Sequence, residues 1–285
     1  MKRVLIIPNF TKSNTSAVLD KLCCSLKKNG LTPMLCSRFG CPENFSGMPL
    51  LSAEECIKTA DMVICIGGDG TIIDGAHLSA KYGIPVMGCN VGKLGYLAQV
   101  DPDEIDEAVK NISKGDFSIQ PRTGIIARCG QMGEKPTEEN TIINFALNEV
   151  AVYNSERGRI ANFEVYCNGK LVKSLAADGV IISTPTGSTA YALSAGGPVI
   201  DPALETLSLT YICPHNLSLR PIVFSADYSL AVKSSTCAML VTADGRKKME
   251  IPQGEYLLIE RSPQKANFIH FSEDEFFQVL AEKMK

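Results

Sequence analysis

The sharpest run of residues able to do chemistry is Ile64-Cys65-Ile66-Gly67-Gly68-Asp69-Gly70-Thr71, where an apolar stretch ends in two glycines, a carboxylate and a further glycine. Glycines let a backbone approach a ligand closely, and the amides that open a helix attract phosphate oxygens. An Asp in such a turn sits where strand ends open into a binding crevice, beside the phosphates. A plain helix cap is the alternative reading of Asp69, because Asp is a favoured N-cap. Two glycines before it and one after exceed what a cap requires. The pattern G-x-x-x-x-G-K-[ST] is absent, since Gly75 is followed by Ala76-His77, and G-x-G-x-x-G fails at Ile73. Both failures count against P-loop and dinucleotide-dehydrogenase readings.

Two further segments carry polar groups inside apolar runs. Asn148-Glu149 interrupts Phe145-Ala146-Leu147 and Val150-Ala151-Val152. Adjacent side chains of a regular strand point to opposite faces, so two polar neighbours suggest a strand end or bulge that presents an amide and a carboxylate together. Such a pair suits nucleotide hydroxyls and base edges. An edge strand with solvent-facing polar residues is the alternative. In Ala177-Asp178-Gly179 through Ser183-Thr184-Pro185-Thr186-Gly187-Ser188-Thr189-Ala190-Tyr191, a buried strand opens into a hydroxyl-rich loop and then a helix. Hydroxyl and amide donors converge there, and both helix capping and ligand binding fit them. Tyr191 offers a ring face and a phenol, or else a core side chain.

The elements that must position these residues change character along the chain. Val4 to Ile7, Leu31 to Cys36, Met62 to Ile66 and Ile84 to Gly88 look like strands, alternating with helical patterns at Ser16 to Lys28, Ala53 to Thr59, Gly70 to Lys81 and Pro102 to Ser113. That alternation predicts a parallel sheet with right-handed crossovers. After about Pro121 the texture is strands and tight turns: Gly124 to Cys129, Phe145 to Tyr153, Asn162 to Cys167, Leu171 to Leu175 and Val180 to Thr184. Asn168-Gly169 and Asp244-Gly245 are two-residue hairpin signals, Gly130 to Asn140 reads as a hairpin tip, and Ser188 to Ala195 as a short helix. Ser272-x-x-Glu275 is a capping-box pattern opening a last helix with Phe276, Leu280 and Met284. The expected fold is an α/β domain with a parallel sheet over residues 1–120 and 268–285, plus a β-rich domain over 121–267. The C-terminal helix packs back on the first domain, and the site lies between the two.

Across 285 residues, 45% hydrophobic and 21% charged, there is material for two cores. A formal net charge of −3 gives no general field for a polyanion, so nucleic acid is not an expected partner. Eleven cysteines sit largely in apolar runs, such as Cys65 and Cys213, and read as reduced core thiols of a cytoplasmic protein. There is no C-x-x-C, and His77, His215 and His270 are scattered, so no protein metal site is expected. The N-terminal apolar run is too short for a signal segment and no stretch spans a membrane, so no membrane partner is expected.

These motifs together resemble the bacterial NAD kinases. Gly67-Gly68-Asp69-Gly70-Thr71, Asn90-x2-Lys93-Leu94-Gly95-Tyr96-Leu97, Leu147-Asn148-Glu149, and Asp178-Gly179 through Pro185-Thr186-Gly187-Ser188-Thr189-Ala190-Tyr191 to Gly196-Gly197-Pro198 stand in that family's order and spacing. The glycine turn is shared with lipid kinases and phosphofructokinases; the Thr184-to-Tyr191 segment with the Asn-Glu pair is the specific part. The resemblance implies that Asp69 activates the reacting ribose hydroxyl with Gly70 beside it, and that Lys93 and Tyr96 lie at the nucleotide, the latter near the adenine. It implies that Asn148 and Glu149 hold the nucleotide, and that Thr186, Thr189, Ala190, Tyr191 and Ser194 line the dinucleotide. Asp178 would meet the nicotinamide side and Asp244 would lie near the phosphates. It further implies Mg²⁺ or another divalent cation, NAD with a nucleoside triphosphate or polyphosphate as substrates, and a homotetramer. One position departs: the family's usual Arg two before Asp178 is Ala176 here. A lipid or sphingoid kinase with the same turn, and a non-catalytic NAD(P)-binding regulator, are the rival readings.

Overall fold

The computed structural model describes residues 2–36, 50–92, 95–98, 100–131, 133–156, 160–271, 275–283 and 285. Two compact units emerge, one of residues 1–121 with 266–285 and one of residues 122–265.

The first unit alternates β1 (Arg3–Pro8), α1 (Thr15–Lys28), β2 (Thr32–Cys36), β3 (Leu50–Leu51), α2 (Ala53–Ile57), β4 (Met62–Gly67), α3 (Asp69–Ala80), β5 (Val86–Asn90) and α4 (Ile105–Lys114). β4 and β5 are buried along their whole length, as apolar runs covered on both faces must be. Helix α1 turns Val18, Leu19, Leu22 and Leu26 inward at helical spacing. Before α4, Asp101 and Glu104 form a reciprocal capping box, and Gly115 ends the helix at φ 81°. The strands pair in parallel in the order β5-β4-β1-β2-β3. From β1 the chain crosses to β2 on one side, and from β4 it crosses to β5 on the other. The crevice outside the carboxyl ends of β1 and β4 is therefore the switch point where open α/β sheets bind ligands. Asn9 closes its floor, donating its amide N–H to Ile66 O at 2.9 Å and its Nδ2 to Thr71 Oγ1 at 3.0 Å.

β6 (Ser118–Gln131) leads into β7 (Thr141–Ala146), β8 (Glu149–Asn154), β9 (Ala161–Cys167), β10 (Lys170–Ala177), β11 (Gly179–Ser183), α5 (Tyr191–Ser194), β12 (Thr206–Ile212), β13 (Ile222–Ser225), β14 (Leu230–Ser234), β15 (Met239–Ala243), β16 (Arg246–Ile251) and β17 (Glu255–His270). One antiparallel sheet of the second unit runs β13-β12-β11-β8-β15-β16, and β10-β9-β14-β17 form another, with β6 and β7 alongside. Phe163 and Val165 of β9 pack with Val150, Val152, Val180 and Ile182 in one buried cluster between the two sheets. The chain ends in α6 (Glu275–Lys283), which belongs to the first unit; Lys283 Nζ stands 4.4 Å from the Tyr96 ring centroid. The predicted capping residue Ser272 lies outside the described residues.

Several expectations change in detail. Phe145 to Tyr153 is two strands broken at Leu147-Asn148, and Ser188 to Ala195 is a 3₁₀ turn (Thr186–Thr189) followed by the one-turn α5. Both hairpin signals fold as turns with positive φ, at Asn168 (48°) and Gly169 (76°), and at Asp244 (48°) and Gly245 (67°). Cys213 is not a core thiol: it is exposed, at φ 45°. Cys23 and Cys89 are buried, and burial pushes their thiols up to about 11 and about 12.

Candidate functional site

In the first unit the chemistry gathers on Asp69, the first residue of α3, with Gly68 as an extended N-cap that provides no side-chain cap. The backbone must crowd here. A Cβ on Gly67 would fall 2.4 Å from Thr71 Oγ1, so the turn into α3 requires glycine. Asp69 is not an N-cap; it reaches across to the loop after β5. Its Oδ2 accepts the Tyr96 N–H at 3.0 Å and its Oδ1 the Leu97 N–H at 3.1 Å. That approach requires a glycine at position 95, where a Cβ would lie 2.0 Å from Asp69 Oδ1. Each carboxylate oxygen has two lone pairs, so a clamped Asp69 keeps capacity for a substrate hydroxyl. Gly70 is exposed beside it and Tyr96 is half-buried. Lys93 and Leu94 of the same loop lie outside the described residues.

In the second unit Asn148 and Glu149 form a buried corner where β7 gives way to β8, with exposures of 8% and 5%. The edge-strand alternative fails, because β8 lies between β11 and β15. Asp244, in the turn between β15 and β16, builds the corner. Its carboxylate accepts three successive amides, from Leu147 at 2.8 Å, Asn148 at 2.7 Å and Glu149 at 3.1 Å. The observed contacts thus make Asp244 a positioning residue. From the other side, Thr184 N donates to Asn148 O at 2.8 Å, while Thr184 Oγ1 donates to Leu147 O at 2.5 Å and accepts Gly187 N–H at 3.0 Å. A Cβ on Gly187 would fall 2.0 Å from Asn148 O, so the hydroxyl loop lies directly against the corner.

Glu149 pays for its burial in proton affinity. Desolvation and the nearby Asp244 charge push its carboxyl up to about 7, against a backbone hydrogen bond from Tyr191 that lowers it. Its Oε2 has no hydrogen-bond partner, nor does the buried Oγ1 of Thr186 in the adjoining loop. Buried polar atoms are nearly always paired, so these two have unused capacity for a polar partner. Tyr191 packs on Tyr153 with ring centroids 6.3 Å apart and 29° between planes. Burial, first among several causes, pushes the Tyr153 phenol up to about 12.

The remaining expected residues do not all stand at this corner. Thr189, the last residue of the 3₁₀ turn, and Ala190 after it are half-buried, Thr189 Oγ1 donating to Thr186 O at 3.3 Å, while Ser194 is exposed at the end of α5. Asp178 is exposed at the opposite end of β11 from Ser183, the residue paired with Glu149. Ala176, in β10, pairs with Asn162 of β9, and its carbonyl accepts the His215 N–H at 2.9 Å. Tyr153, Thr184, Asn9 and Gly95 were not foreseen as site residues. The spacing Glu149, Ala151, Tyr153 along one strand face was a usable signal for the first; the others depend on contacts between distant segments. No cluster of three or more His, Cys, Asp or Glu side chains able to hold a metal occurs among the described residues.

A carboxylate clamped at a switch point beside a glycine turn, with a buried polar corner in the second unit, fits the class of phosphotransferases that handle nucleotides. Residues 8–117 match the family model of the ATP-NAD kinase N-terminal domain and residues 147–271 that of the ATP-NAD kinase C-terminal domain. The NAD kinase of Caldanaerobacter subterraneus subsp. tengcongensis is 34% identical over 100% of this chain and 99% of its own length. That of Carboxydothermus hydrogenoformans is 36% identical over 81% of this chain and 82% of its own. Among solved structures, an NAD kinase from Archaeoglobus fulgidus in complex with ATP aligns at a TM-score of 0.73 and 27% identity, covering 99% of this chain and 98% of that one. Yeast NADH kinase complexed with NADH shares the fold at a TM-score of 0.85 and 21% identity, covering 100% of this chain and 87% of that one. The chain belongs to the NAD kinase family.

Proposed function

We propose that this enzyme phosphorylates NAD at the 2′-hydroxyl of its adenosine ribose, giving NADP. The carrying observation is the orphaned, buried Oε2 of Glu149 in the corner held by Asp244, a place for ligand hydroxyl or amino groups. Asn148 adds an amide, and Thr186, Thr189, Ala190, Tyr191, Ser194 and Asp178 extend the surface along the dinucleotide. Asp69 supplies the chemistry. It orients the ribose hydroxyl and takes its proton as that oxygen bonds to the γ-phosphorus, while the bond from phosphorus to the bridging oxygen breaks and the nucleoside diphosphate leaves. The glycine turn faces the phosphates, and Lys93, Tyr96 and Gly70 complete the nucleotide contacts in this reading. Mg²⁺ bound to the triphosphate would neutralise the charge of the phosphates.

The test is NADP formation by the purified protein with Mg²⁺, followed with an NADP-specific dehydrogenase. NADP appears if the reading is right; phosphorylation of a lipid acceptor with no NADP from any donor would overturn it. We further place the enzyme in the cytoplasm as a homotetramer, on its family resemblance; no described helix is long and apolar enough to cross a membrane. Light scattering at assay concentration reports the mass of four chains, and a monomer mass would remove the assembly from the account.

A further inference from the structure

The proposed reaction gives Tyr153 no role, yet this residue shares a strand face with Glu149. Side chains alternate along β8: Val150 and Val152 enter the core between the two sheets, while Glu149, Ala151 and Tyr153 lie on the other face. That face is covered by α5, whose Ala192 packs with Ala151 and with Ile181 of β11, and both Tyr153 and Tyr191 pack against this small cluster. Helix α5 is only Tyr191–Ser194, a single turn. A helix that short has no stability of its own, so its contacts set the position of the Tyr191 ring.

Tyr191 meets β8 at two residues four positions apart. Its backbone hydrogen bond goes to the Glu149 carboxylate, and its phenol is a hydrogen-bond partner of the Tyr153 hydroxyl. The second partner of that hydroxyl is Thr242, held beside β8 by the pairing of β15, in which Thr242 stands opposite Ala151. A phenol hydroxyl both donates and accepts, so it serves the two partners at once. The near-parallel rings of Tyr153 and Tyr191 add a stacked contact. Tyr153 thus ties the start of α5 to the rigid middle of the sheet from the far side of the Glu149 corner.

We propose that Tyr153 is a positioning residue of the dinucleotide site, acting through Tyr191: it holds that ring and phenol in place before NAD arrives. The inference rests on the NAD kinase reading above and adds a residue to it. Order established in advance lowers the cost of binding, so losing the Tyr153 hydroxyl weakens NAD without disturbing the reacting atoms.

Tyr153→Phe keeps the ring and removes the hydroxyl. Calorimetry gives the Kd for NAD and the fraction of protein able to bind, and steady-state kinetics give KM and kcat. The Kd and KM for NAD should rise about threefold or more, the scale of one lost hydrogen bond. The binding-competent fraction should stay unchanged and kcat within about twofold, the pattern of lost uniform binding. A merely structural role would lower the competent fraction and leave Kd alone. In a Tyr191→Phe background the same change at position 153 should move Kd by less than about twofold, because the group it acts through is gone. A wild-type Kd in Tyr153→Phe, or an undiminished loss in the Tyr191→Phe background, would overturn the inference. NADP formation with unchanged Kd in Tyr153→Phe sinks the positioning role alone. Weakened NAD binding in that variant, without NADP formation by wild type, sinks the kinase reading alone.

Discussion

At Glu149, burial and a neighbouring charge act on one proton. The carboxyl titrates near its ordinary value of 4.5 when unfolded but at about 7 in the folded protein, so its ionised form is the one that folding disfavours. Below the ordinary value both states bind the proton and the shift has no effect on stability. Between about 4.5 and 7 the unfolded chain ionises first and the folded state loses ground, after which the loss is constant. Glu149→Gln removes that titration. The variant, free of ligand, should therefore gain melting temperature over wild type as pH rises from 5 to 8, and the gain should level off above about 7. A difference in melting temperature that does not vary with pH would mean that Glu149 is not held in a desolvated corner. The residue types of this corner were legible in the sequence, because two adjacent polar residues inside an apolar run cannot both fit a regular strand. What Asp244 does was not, since its three amide partners are about a hundred positions away along the chain.

Among the elements, the loop after β5 and the start of α3 form one device. Glycine at position 95 lets the loop amides of Tyr96 and Leu97 grip the Asp69 carboxylate, and a methyl group there would occupy the place of Oδ1. Gly95→Ala should displace Asp69 while leaving the corner of the second unit intact. Turnover should fall by roughly 10²-fold, as for an ångström-scale misplacement of a reacting group, with NAD affinity nearly unchanged. Wild-type turnover in that variant would show that the grip on Asp69 has no part in catalysis. The sequence carried the alternation of strands and helices and both hairpin turns, whose Asn-Gly and Asp-Gly pairs favour positive φ. The strand end at Asn148-Glu149 was readable from two polar neighbours in an apolar run, but its cause, the contacts of Asp244 and Thr184 from elsewhere in the chain, was not. Nor did the sequence carry the split of the Ser188-to-Ala195 helix at Ala190, where φ is −100° and ψ −126°.

In the function proposed above, Asn148 and Glu149 bind NAD and Asp69 takes the ribose proton. The change of texture near Pro121 made a division into an α/β part and a β-rich part readable in advance, because parallel sheets need crossover helices and antiparallel ones need only turns. The pairing of the last stretch of β17 with β5, at Phe268 and Val86, was beyond reach of local pattern. The most direct test of the central claim is the turnover of Asp69→Asn with NAD, ATP and Mg²⁺. An amide keeps the size and one acceptor oxygen for the loop amides but cannot take the ribose proton, so kcat should fall by roughly 10²–10⁴-fold while the Kd for NAD shifts by less than about tenfold. A variant that retains more than about a tenth of wild-type kcat, a change in barrier below ~1.4 kcal/mol, would contradict the assignment of Asp69 as the group that carries the chemistry.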